Sequence, residues 1–136
     1  MLQATRNPLL QPWDTPYGLP PFEAVHTEHF EPAFEVALNA HRAEIDAIDN
    51  AAEAPSFDKT IAAFDRCGLL LGRIRSLFYN LTSSATSPDL QAVHRRMAPV
   101  LADHHSAVFM HAALFARIEA LHAQCDTLVL DRKSVV

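Results

Sequence analysis

The 136 residues carry 16 acidic and 11 basic side chains, a formal charge of −5, and an apolar share of 49%. This length supports one domain around one core, and that apolar share argues against wholesale disorder. The densest basic spot, His94-Arg95-Arg96, is a single helical turn, which excludes a phosphate-binding surface and with it nucleic acid.

Three glycines among plentiful alanine, leucine, glutamate and arginine favour helices over strands. The longest apolar run, Cys67 to Leu71, falls far short of the ~20 residues that cross a bilayer, so no membrane is expected as partner. Residues 1 to 25 lack the apolar stretch of a signal peptide, and the cytoplasm is the expected location. Cys67 and Cys125 are then read as buried or half-buried free thiols.

Residues 1–25 read as an extended arm, because Pro8, Pro12, Pro16, Pro20 and Pro21 remove donors and bias their predecessors to extended geometry. Leu9, Leu10, Trp13, Tyr17, Leu19 and Phe22 supply apolar anchors along it. Residues 26–124 read as a helical bundle. Its first helix carries Phe30, Phe34, Ala37, Leu38, His41, Ile45 and Ile48 at three- and four-residue steps. Pro32 belongs in its first turn, Thr27 caps a short entering turn, and the helix fades between Ala52 and Pro55.

Ser56 caps a second helix running from about Phe57 towards Ser83. Gly68 and Gly72 lie inside it and are read as tolerated glycines rather than points of close approach. Asn80-Leu81-Thr82 matches a glycosylation sequon by chance, being helical. Ser87 or Thr86 caps a third helix with Pro88 at its first position, and Pro99 is expected to kink or split it. A fourth helix holds Leu114, Phe115, Ile118 and Leu121. Residues 125–136 read as a loop leading into a truncated helix capped by Asp131. The fold expected is an all-α antiparallel bundle of about four helices with an extended proline-rich N-terminal arm.

The histidines invite a metal reading. His26, Glu28 and His29 lie within four positions, and helical zinc peptidases use His-Glu-x-x-His. No histidine here precedes a glutamate, Val25 stands where the inverted motif needs histidine, and no third ligand is spaced to join His26 and His29. His104, His111 and His122 fall near one face of a continuous helix, beside His105. Seven residues of helix nevertheless rise about 10.5 Å, too far for one ion. They read as a solvated or interface-facing row. Ser83, Ser84 and Ser87 suit a turn, and no adjacent histidine–acid pair activates Cys67 or Cys125. The pairs Glu44/Asp46 and Asp46/Asp49 read as an exposed face. No residue is therefore assigned a catalytic, cofactor-binding or metal-ligating role.

Six stretches in order resemble the N-terminal region of the thimet-oligopeptidase family of zinc metallopeptidases: "NPLLQPW" (7–13), "LPPFEAVHTEHFEPAFEVAL" (19–38), "HRAEIDAI" (41–48), "FDKTIAAFDRCGLLLGRIRSLFYNLTSSATSPDLQ" (57–91), "MAPVLADH" (97–104) and "LFARIEAL" (114–121). They are more similar to its peptidyl-dipeptidase (dipeptidyl carboxypeptidase) branch than to its oligopeptidase A branch. The resemblance implies a longer parent, almost wholly helical, in which two halves enclose a channel for short peptides and the zinc ligands lie downstream. Zinc is then the parent's cofactor, and no zinc ligand maps onto this chain. The remaining catalytic part of the polypeptide is the expected partner, short peptides are the parent's substrates, and a bare apolar face would promote self-association. The alternatives are a stand-alone helical protein-interaction module and a metal-binding bundle built on the histidines.

Overall fold

A computed structural model describes residues 7–125. Among them are five α-helices and no strand: α1 (Phe30–Asp49), α2 (Ala62–Arg66), α3 (Leu69–Ser84), α4 (Pro88–Phe109) and α5 (Ala112–His122). Short 3₁₀ turns occur at Pro8–Leu10, Pro16–Gly18 and Thr27–His29, and a wide π turn at Phe57–Ile61 runs straight into α2. The all-α bundle expected from the periodicity is present. The helix start expected at Asp131 lies outside the described residues.

Cross-links give the helix directions. Phe30 and Phe34 meet Phe78 far along α3, whereas His41 meets Cys67 just before it, so α1 and α3 are antiparallel. Glu31 pairs with Arg96, His41 with His104 and Asp49 with His111, so α1 and α4 run parallel. The short link between α3 and α4 reverses the chain, as expected for neighbours in a bundle. From α5, the Arg117 guanidinium donates to the carbonyls of Ala51 at 3.3 Å and Glu53 at 2.9 Å.

The main core joins Leu9, Phe30, Phe34, Ile74, Phe78, Leu90, Val93, Met97 and Leu101. At its centre Phe78 lies 5.0 Å from Phe30 and 5.2 Å from Phe34, edge-on to the latter, and all three rings are buried. Edge-to-face aromatic pairs of this kind contribute ~0.5–1.5 kcal/mol beyond area burial. A second cluster of Ile45, Ile48, Val108 and Leu114 joins α1, α4 and α5 at the other end.

Two caps fall where the sequence places them: Ser56 Oγ accepts from the Lys59 N–H at 3.3 Å, and Ser87 Oγ from the Leu90 N–H at 3.1 Å. Thr27 does not cap the entering turn. His26 holds that position, and His29 Nδ1 accepts the His26 N–H at 3.0 Å. α1 ends at Asp49, slightly before the expected fade. Nor does Pro99 split the third helix, since α4 runs through it. Met97 and Leu101 are buried on either side of Pro99, and that packing offsets the lost backbone bond.

The expected single helix from Phe57 to Ser83 is interrupted at Cys67–Gly68. Cys67 is extended, and Gly68 takes a left-handed conformation at φ +70°. A Cβ at Gly68 would lie 2.9 Å from His41 Cε1 and Nε2. Gly68 is thus a point of close approach rather than a tolerated glycine, whereas a Cβ at Gly72 meets nothing within 4 Å. The ring that Gly68 approaches belongs to α1, outside any local window.

One end of the arm belongs to the core. Leu9 is fully buried, the Asn7 side chain donates to the His29 carbonyl at 2.8 Å and accepts the Leu9 N–H at 3.0 Å. Arg73 donates to the carbonyls of Leu9 at 3.0 Å and Gln11 at 3.1 Å while its guanidinium lies 4.6 Å from the Trp13 ring centre. The other anchors differ: Tyr17, Leu19 and Phe22 are exposed, as are Leu69, Phe109, Met110 and Phe115.

Candidate functional site

The densest chemistry lies where α1, the α2–α3 break and α4 meet. His41 uses both ring nitrogens: Nε2 is 3.3 Å from Cys67 Sγ, and Nδ1 is 2.9 Å from His104 Nε2. Cys67 Sγ also lies 2.9 Å from the Phe64 carbonyl, which can only accept, and Glu44 accepts the Gly68 N–H at 2.6 Å. Cys67, His41, His104, Leu71, Leu101 and Val108 line a cavity of about 190 Å³.

One assignment of protons satisfies every contact. The thiol S–H donates to the Phe64 carbonyl, sulfur accepts from His41 Nε2–H, and His41 Nδ1 accepts from His104 Nε2–H. Every group is then neutral. The electrostatics agree: burial holds His41 below the ordinary imidazole range, and burial together with neighbouring His41 does the same to His104. Burial, then the nearby Glu44 charge, pushes the Cys67 thiol up.

A nucleophilic cysteine needs the opposite arrangement, with a thiolate favoured beside an imidazolium. The sequence gives no neighbour to Cys67, and the fold supplies one 26 residues away. Even so, the contact is a half-buried neutral network that joins α1, the α2–α3 break and α4. Because His41 turns its two nitrogens to different partners, this cluster does not converge on one ion.

The other candidates are dispersed. His29 Nδ1 is taken by the His26 N–H. The row of imidazoles does not exist: α4 ends at Phe109 and α5 begins at Ala112, His104 is buried, His111 is half-buried at the junction and His122 is exposed. Ser83 and Ser84 lie in the last turn of α3, where Ser84 donates to the Asn80 carbonyl at 2.7 Å. Cys67 is half-buried as expected, but Cys125 is exposed rather than half-buried. The Asp46/Asp49 pair is not uniformly exposed either. The Asp49 side chain keeps only 8% of its surface, with Oδ2 at 2.8 Å from His111 Nδ1. Sequence reasoning missed this contact because it depends on where the α4–α5 junction lands against α1.

Comparison with known proteins adds what the geometry does not. No family model matches the chain. It is 36% identical over 129 residues to dipeptidyl carboxypeptidase of Salmonella typhimurium, covering 95% of this chain and 19% of that protein. The Escherichia coli dipeptidyl carboxypeptidase is 34% identical over 131 residues, covering 96% of this chain and 19% of its own length. Oligopeptidase A of Salmonella typhimurium is 31% identical over 109 residues, covering 80% and 15% respectively. The class is thus an all-helical region shared with bacterial peptidases, spanning about a fifth of their length. Over that region the chain belongs to the family of dipeptidyl carboxypeptidase and oligopeptidase A.

Proposed function

We propose that this chain is the N-terminal helical region of a cytoplasmic zinc metallopeptidase of the peptidyl-dipeptidase type, which cleaves short peptides. In that reading these helices form part of the wall of a substrate channel, and the rest of the polypeptide is their partner. The observation that supports it best is the collinear 36% identity across 95% of the chain. The exposed Leu69, Phe109, Met110 and Phe115 are consistent with a surface that a larger body covers.

The residues present do not fit the zinc centre that the resemblance implies. The sequence holds no His-Glu-x-x-His, and His29, beside His26 and Glu28, already spends Nδ1 on a backbone donor. No catalytic step is assigned to these residues. Two measurements test the reading. The 136-residue chain, incubated with short peptides with and without added zinc, is expected to release no C-terminal dipeptide. The coding sequence read past Val136 is expected to carry His-Glu-x-x-His in the same frame. Zinc-dependent hydrolysis by this chain, or a frame that closes without that motif, overturns the proposal.

A further inference from the structure

Where α1 ends, Asp46 and Asp49 are three residues apart and so share a face. His111, the residue immediately before α5, approaches them, and the donor atoms of all three lie within 4.8 Å of one another. Most surface carboxylates would need no further account. Asp49 does, because its side chain is only 8% exposed and both of its oxygens are buried without a hydrogen bond. His111 Nδ1 is likewise buried without one, although it lies 2.8 Å from Asp49 Oδ2. The two groups touch, but not along a donor–acceptor line.

We propose that Asp46, Asp49 and His111 form a binding site for one first-row divalent cation, which clamps the α4–α5 junction to the end of α1. Two donors ~2.1 Å from a tetrahedral ion are ~3.4 Å apart, so the Asp49–His111 contact, now 2.8 Å, would widen by roughly half an ångström to admit one. An ion would satisfy Asp49 and His111 Nδ1 at once, where their direct contact makes no hydrogen bond. Asp46 is exposed, so its side chain has room to turn towards the ion. One imidazole with two carboxylates suits zinc, cobalt or manganese better than calcium or magnesium, which prefer oxygen alone. The C-terminal end of α1 adds a favourable dipole. Arg42 shares the depression with Asp46 and His111, and the two carboxylates outweigh its single charge.

Calorimetric titration of the 136-residue chain with zinc or cobalt chloride is expected to show one ion per chain. Asp49→Asn and His111→Ala are each expected to weaken binding at least tenfold, with His26→Ala and Cys67→Ser unchanged. Cobalt absorption is expected to lack the intense near-ultraviolet band of thiolate ligation. Exposed Asp46→Asn, which leaves the core intact, is expected to weaken binding several-fold and guards against misfolding of the other variants. Absence of binding leaves Asp49 and His111 as a plain ion pair and overturns the proposal. So does affinity that survives Asp49→Asn and Asp46→Asn, or a thiolate band.

Discussion

Alanine placed at Gly68 and at Gly72 should move stability in opposite directions. At Gly68 the backbone is left-handed, which costs an L-residue ~1–2 kcal/mol. The new Cβ would also stand 2.9 Å from the His41 ring, closer than real Cβ contacts come. His41 must then shift, which strains its contacts with Cys67 and His104. Each such hydrogen bond has a net worth of ~0.5–1.5 kcal/mol. Reduced freedom of the unfolded chain returns ~0.4–1 kcal/mol. The sum is a destabilisation of ~2–4 kcal/mol. Gly72 sits within α3 with nothing near its missing Cβ, so alanine there should stabilise by ~0.5–1 kcal/mol. Urea unfolding followed by far-ultraviolet circular dichroism gives both values from the midpoint and slope. Equal stability of Gly68→Ala and the parent chain, or a common sign for both variants, refutes the reasoning from the left-handed backbone and the close His41 ring.

Three further outcomes are expected. Leu9→Ala should cost ~2–5 kcal/mol despite its place in the arm, since the side chain is fully buried; a loss below ~1 kcal/mol by urea titration would show that the arm only rests on the surface. His41 and His104 titrate below the ordinary 6.5 in the fold, so their contribution is complete above about pH 6.5 and is lost as pH falls through the lowered values. The urea midpoint should therefore drop between pH 7.5 and 5.5, and a constant or rising midpoint contradicts the neutral network. Phe109 and Phe115 are 67% and 62% exposed, so replacing both with serine should weaken any self-association at least ~10-fold in sedimentation equilibrium; an unchanged constant would place the contact elsewhere.

What the sequence discloses and what it hides divide along a physical line. The caps at Ser56 and Ser87 are legible because a serine hydroxyl three residues before a free N–H acts locally. The buried faces of α1 and α3 are legible because their period is helical. Gly68, Asp49 and His104 are not, because each owes its conformation or burial to a partner at least 26 residues away. At Pro99 the split allowed by a backbone rule does not occur, with Met97 and Leu101 packed on either side. The missed contacts are also where the chain's ionisable chemistry concentrates.

The guanidinium of Arg117 holds the carbonyls of Ala51 and Glu53, up to 66 positions earlier. A ribosome delivers the chain from its amino end, so the turn after α1 is made long before the cation that ties it down. Until α5 emerges, that turn lacks the cation that holds its carbonyls, although Lys59 already pairs with Glu53. Synonymous changes that alter translation speed between codons 54 and 117 should therefore affect the yield of folded chain more than equal changes upstream.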